Sequence, residues 1–207
     1  MKSDQDYIRD IGEMRSMMER SSRFMSLSGL AGVMAGIYAL SGTLIVFKVF
    51  DYNPGVNIQP GRRGASSQAF SEVVMLGITI LVLAVGTAMY LSFRKASKAG
   101  EKFWNAAARR LVINMAVPLV AGGIVLLIFI SKGLAALTLP SSLLFYGLAL
   151  YNASKFTYEE VRSLGIIQII LGLAGLVFIQ YGLLFWALGF GILHIIYGVY
   201  MHYRYER

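Results

Sequence analysis

Long apolar runs alternate with short charged blocks along this chain, and the alternation predicts its architecture. Apolar stretches cover residues 27–50, 73–93, 111–130, 134–151, 164–179 and 183–201. Each is near the length a helix needs to cross a hydrocarbon core, about 20 residues. Unpaired backbone groups are not tolerated in lipid, so the runs are read as α-helices. The connections at Ser131-Lys132-Gly133 and Gln180-Tyr181-Gly182 leave room only for tight reversals. The predicted fold is all-α, with six transmembrane helices arranged as three hairpins.

Residues 1–26 follow another pattern. Ile11, Met14, Met18, Ser21 and Met25 recur at spacings of three and four, which puts them on one helical stripe. Arg9 and Glu13, Arg15 and Glu19, and Glu19 and Arg23 lie four apart and support a helix on its polar side. The segment reads as an amphipathic helix on the cytoplasmic surface. Its acids and bases nearly balance, unlike a nucleic-acid-binding helix. It lacks an apolar core followed by a small-residue cleavage site, so no cleavable signal peptide is expected. Residues 51–71, with Pro54, Pro60 and the Arg62-Arg63 pair, form an irregular outer loop, a lid or a linker. Residues 202–207 form a cytoplasmic tail.

Composition agrees with this organisation. Of 207 residues, 57% are hydrophobic and 14% charged, against roughly a quarter charged in soluble domains. There is no cysteine, which excludes disulfides and thiolate metal sites. The net charge of +8 is assigned to the positive-inside bias rather than to nucleic acid. With the amino terminus inside, fifteen of the 19 basic residues fall on the inner side, leaving Lys48, Arg62, Arg63 and Lys132 outside. Both termini are therefore expected in the cytoplasm, and the protein in a bacterial inner membrane. Arg94, Lys95, Lys98, Lys102, Arg109 and Arg110 cluster between the second and third spans. They form a candidate patch for anionic lipid headgroups.

Glycines mark the expected helix seams. Gly29, Gly32 and Gly36 include a small-xxx-small step. The pairs Gly29 and Gly36, Gly165 and Gly172, and Gly191 and Gly198 are each seven apart, which returns nearly to the same helix face. A seam such as the first can face a second subunit, so a homo-oligomer is a candidate assembly.

The pattern IIQIILGLAGLVF followed by LGFGILHIIYGVYM, with Gly172, Gly189, Gly191 and Gly198, resembles small six-helix bacterial membrane proteins of the acid-resistance (HdeD-like) type. The resemblance is confined to the last hairpin. It implies glycine-rich helical pairs with two cytoplasmic termini, and no catalytic residues. The charged amino-terminal helix, the long first outer loop and the lack of a proline at the last outer tip depart from it.

Ionisable groups inside a membrane are the default functional candidates, and no carboxylate lies deep in any span. His194 is the one histidine within a span, and His202 lies about 12 Å further along the helix axis. No metal or cofactor is expected. Asn114, Gln168 and His194 are the candidate polar path, near expected kinks at Pro118 and Pro140. Thr157 and Glu160 have the spacing of a capping box for the fifth helix. No phosphate loop, nucleophile elbow, HExxH or paired-carboxylate pattern occurs. The expected role is non-enzymatic: a structural, stress-response or regulatory subunit acting by association with lipid or a membrane partner. The alternatives are a channel or carrier for a neutral or lipid-like substrate, and a pH sensor centred on His194.

Overall fold

A computed structural model describes residues 23–49 and 67–206. The expected amphipathic helix and most of the outer loop lie outside the described residues. The described chain is all helical: α1 (Gly29–Val49), α2 (Ser67–Lys98), α3 (Ala106–Ser131), α4 (Thr138–Ala153), α5 (Glu160–Val177) and α6, which runs as Gly182–Trp186, a π-helical stretch Ala187–Leu193, and His194–Tyr205.

Five segments are long and apolar enough to cross a membrane: Gly29–Lys48, Ser71–Lys98, Ala106–Ser131, Glu160–Val177 and Ile179–Tyr205. The span expected at 134–151 begins instead as a 3-10 turn, Ala135–Leu137, and becomes the 16-residue α4. Pro140 explains the change. It has no N–H to offer the Ala136 carbonyl, so α-helical bonding cannot be carried upstream through it. Pro140 sits third in α4, where an N–H would lack an intrahelical partner anyway, so the expected kink there is not needed. Pro118 lies within α3, which continues through it to Ser131.

Two glycines end helices in the same way. Gly100 (φ 68°) and Gly133 (φ 72°) adopt the left-handed conformation that side chains resist. After α2, the Gly100 N–H reaches the Ser97 carbonyl and the Glu101 N–H the Ala96 carbonyl. After α3, Gly133 bonds to Ile130 and Leu134 to Phe129. Both reversals are Schellman caps. Asn105 then starts α3, its side chain accepting the Ala108 N–H at 2.8 Å.

The helices pack in an order unlike their sequence. α2 rests on α1, α1 on α6, α6 on α4 and α5, and α3 on the far side of α4. Glycines set the two closest contacts. On α1, a Cβ at Gly29 would lie 2.5 Å from the His202 backbone nitrogen, and one at Gly36 would lie 2.6 Å from the Gly191 carbonyl. Gly32 lies over Gly198, and a Cβ on Gly198 would meet the Gly29 carbonyl at 2.7 Å. Between α4 and α5, Gly147 faces the Gly165 carbonyl at 2.7 Å and Gly172 faces the Leu144 nitrogen at 2.6 Å, measured from the same ideal Cβ positions. Gly29, Gly32 and Gly36, considered above as a seam for another subunit, are therefore covered by the chain's own α6.

One end of the bundle gathers the amino end of α1, the carboxyl ends of α2 and α6, and the starts of α3 and α5. The Phe24 N–H donates to the Phe156 carbonyl at 2.6 Å, and the Phe24 ring packs on Ala107 and Ala108. Arg23, Arg94, Lys98, Lys102, Arg109, Arg110, Lys155 and Arg162 lie at this end, whereas Lys48 and Lys132 lie at the other. Beneath the basic end, Leu150, Tyr158, Val161, Leu164 and Met201 form a buried apolar cluster.

Candidate functional site

Two polar constellations stand out, one inside the helix bundle and one at its basic end. The inner one joins α4, α5 and α6 through Tyr146, Gln168, His194 and the Gly189 carbonyl. Gln168 is fully buried and His194 is 6% exposed. Gln168 Nε2 donates to the Gly189 oxygen at 2.8 Å, and His194 Nδ1 lies 2.9 Å from the same oxygen. A carbonyl can only accept, so Nδ1 carries a proton. Neutral His194 then has an acceptor at Nε2, and the Tyr146 hydroxyl donates to it at 2.9 Å. The 3.5 Å approach of Gln168 Nε2 to Nδ1 joins two donors and is a contact, not a bond.

Local sequence builds this knot. Gly189 lies in the π-helical stretch, and a Cβ there would lie 2.4 Å from Leu143 Cδ2 and 2.5 Å from Gln168 Oε1. Only a glycine lets α5 come close enough for the amide to reach. π-Helical turns inside α-helices are rare and concentrate at functional positions. The rings of Tyr146 and Phe190 lie 5.0 Å apart, and Phe190 stacks on His194 at 5.8 Å, which closes the knot on one side. Gln168 Oε1 is buried without a partner.

Of the expected polar path, Gln168 and His194 meet, but Asn114 does not join them. Its Nδ2 donates to the Arg110 carbonyl one turn back on α3, at 2.8 Å. That local bond is the usual alternative for a short amide inside a helix. Tyr146 is a member of the knot that sequence patterning does not mark as a site residue. Beyond being a phenol inside an apolar run, nothing in the sequence marks it for this role.

At the basic end, Glu206 collects three donors. Its Oε1 accepts the Gly29 backbone N–H at 2.8 Å and Lys95 Nζ at 3.2 Å, and its Oε2 pairs with His202 Nδ1 at 2.6 Å. Gly29 opens α1, so the carboxylate also sits at the positive end of that helix. Burial pushes the Glu206 carboxyl up, but bonds from His202, Gly29 and Lys95 outweigh it and hold the group below its ordinary range. Lys95 also donates to the Leu27 carbonyl at 2.8 Å and the Tyr158 hydroxyl at 3.3 Å. Tyr158 in turn bonds the Met25 carbonyl. Burial, with Glu206, Glu101 and Glu160 nearby, pushes the Tyr158 phenol up to about 12.

Lys95 is thus removed from the patch expected to face headgroups, its ammonium being consumed by this clasp. Arg94, Lys98, Lys102, Arg109 and Arg110 remain exposed. Thr157 does not form the expected capping box either. Its hydroxyl donates to the Phe24 carbonyl at 2.8 Å, and Glu160 is engaged by Arg204 at 2.9 Å and the Tyr205 hydroxyl at 2.8 Å. Long-range partners won over local capping in both residues.

Among the described residues, no three histidine or acidic side chains converge to hold a metal ion. The described helices define a bundle with five segments able to cross a membrane, tied by glycine seams and two polar knots. Comparisons with family models, curated proteins and solved structures find no match to this chain.

Proposed function

We propose that this is a non-enzymatic, six-span bacterial inner-membrane protein, with both termini at the basic, cytoplasmic end, that acts by lateral association in the bilayer. The observation that carries the reading is the outward face of α2. Its most apolar stretch has no buried residue, and α1 is the neighbour it packs on. The α1 side is marked by Ile80 against Gly42, Thr87 bonded to Tyr38, and Lys95 bonded to Leu27. At about 100° per residue, Met75, Ile78, Val82, Val85 and Met89 fall half a turn away, all about half exposed or more. Their spacings of three and four make the seam that packs knobs into holes against a second helix. The glycine seams are consumed inside the chain, so association falls to exposed apolar faces, and α2 is the span whose apolar stretch buries least within the chain.

The sixth span would be α4 together with the 3-10 turn before it, since 16 α-helical residues rise about 24 Å and the turn adds about 6 Å. The exposed basic residues from Arg94 to Arg110 would meet anionic headgroups. A carrier path draws less support, because Asn114 is turned away from Gln168 and His194. A sensor built on His194 draws support from its place at the end of the π-helical stretch; its test is a pH-dependent state that His194→Gln abolishes.

The chain has no cysteine, so single substitutions Val82→Cys and Met89→Cys report the α2 contact directly. The expected result in native membranes is an α2–α2 crosslink, or one to a partner subunit, with a control cysteine at Val117 on α3 silent. Monomeric species alone, on crosslinking and on blue-native gels, would overturn the proposal.

A further inference from the structure

At the basic end, away from α2 and from the Arg94–Arg110 segment, the start of α5 carries an open cleft of about 620 Å³. Arg23, Tyr151, Lys155, Glu159, Arg162 and Ser163 line its rim, and Ile166 lies at its apolar end. Charge inside it is unbalanced. Glu159 is taken by Arg23 at 3.4 Å. Among the described residues, neither Lys155 nor Arg162 has a carboxylate partner. Arg162 lies over the Tyr151 ring at 5.6 Å, which holds the guanidinium in place without neutralising it. The Ser163 hydroxyl already donates to the Glu160 carbonyl at 2.9 Å and accepts from Tyr197 at 2.7 Å, so the charge available to a ligand in the cleft is that of Lys155 and Arg162.

An apolar track leads out of the cleft along the same helix face. Ile166, Ile170, Leu173 and Val177 follow Arg162 at steps of four, four, three and four, and are 41%, 58%, 51% and 74% exposed. From Ile166 to Val177 the track rises about 16 Å, close to one leaflet of a bilayer whose hydrocarbon core is about 30 Å thick. A soluble anion would have use for the cations and none for the track. A phospholipid uses both: phosphate on Lys155 and Arg162, acyl chain against α5.

We infer that this cleft and track form a binding site for one anionic phospholipid, with its phosphate between Lys155 and Arg162. A guanidinium donates to phosphate through two N–H groups at once, and the lysine adds a point charge. The site is distinct from the exposed Arg94–Arg110 residues and does not depend on how α2 associates.

Native mass spectrometry in mild detergent tests it, with phosphatidylglycerol, phosphatidylcholine and inorganic phosphate offered in turn. Wild-type protein is expected to retain phosphatidylglycerol over phosphatidylcholine and to bind no phosphate alone. The double substitution Lys155→Gln with Arg162→Gln is expected to weaken phosphatidylglycerol retention about 25-fold, at about a factor of five for each basic residue near an anionic surface. The double substitution Lys48→Gln with Lys132→Gln, two exposed lysines at the opposite end of the bundle, is expected to leave that retention within about twofold, because charges more than a screening length of about 10 Å away contribute little. Both pairs are exposed, so unchanged melting in detergent confirms folded protein. Undiminished retention in the Lys155/Arg162 variant overturns the site, as does equal retention of phosphatidylcholine. Phosphate binding without lipid, lost in the same variant, overturns the lipid assignment in favour of a soluble anion.

Discussion

Glu206 accepts the backbone N–H of Gly29 at 2.8 Å, so a side chain at the end of α6 caps the first turn of α1 across 177 positions of sequence. The same carboxylate holds Lys95 and His202. One residue therefore ties α1, α2 and α6 together, at the end of the bundle where their backbones leave the helices.

Removing that charge loosens three helices at once. Glu206→Gln keeps the shape but weakens bonds to two basic side chains and to a helix amino terminus. Hydrogen bonds to charged groups contribute about 1.5–3 kcal/mol, and a loss in that range is expected in detergent unfolding. The pH dependence has a fixed sign. The folded carboxyl titrates below its ordinary value of 4.5, so its contribution is present above that pH and fades as pH falls through the folded value. Wild type and Glu206→Gln should differ at neutral pH and converge in acid; a constant difference down to low pH would refute the linkage.

The glycine seam gives a second prediction. At Gly29 and Gly198 an added methyl meets backbone atoms at 2.5 Å, which cannot rotate away. Gly198→Ala should separate α1 from α6 and cost about 1–3 kcal/mol, the range for overpacking. Gly123, on the exposed side of α3, has nothing within 4 Å of an ideal Cβ. Gly123→Ala should be neutral or stabilise by up to about 1 kcal/mol, because alanine is the better helix former. Equal effects of the two substitutions in thermal melts would show that the seam is not what these glycines serve.

These two cases mark where the sequence is legible. Apolar runs and their lengths give five of the long helices, because the rule that backbone must be paired in lipid acts on each run by itself. The seven-residue glycine spacing gives the seam faces for the same local reason. Which seam meets which is a tertiary fact: Gly29 and Gly36 meet Gly198 and Gly191, more than 150 residues away. Lys95 reads as one more basic residue in a basic segment until Leu27, Tyr158 and Glu206 are placed around it. The π-helical stretch at Ala187–Leu193 leaves no mark beyond its glycines, since it arises from how α6 fits against Gln168 and Leu143. Pro140 suggests a kink when only its apolar run is visible, because a proline's effect depends on whether it falls in the first turn of its helix.

The inner knot separates two kinds of polar contact. The Gly189 carbonyl receives both Gln168 and His194, whereas His194 Nε2 receives Tyr146 alone. Tyr146→Phe removes the one donor to a buried nitrogen and should cost about 1–3 kcal/mol, the penalty for an unsatisfied buried group. Gln168→Leu leaves the Gly189 oxygen bonded to His194 and also removes the unpartnered Oε1. It should cost less, under about 1 kcal/mol once the local bonds are counted at their net value. A double-mutant cycle between Tyr146→Phe and His194→Gln isolates their coupling, for which interhelical bonds in membranes give about 0.6 kcal/mol on average and at most about 1.7. A Gln168→Leu variant less stable than Tyr146→Phe would place the energetic weight of the knot on the amide and reverse the roles assigned to the two residues.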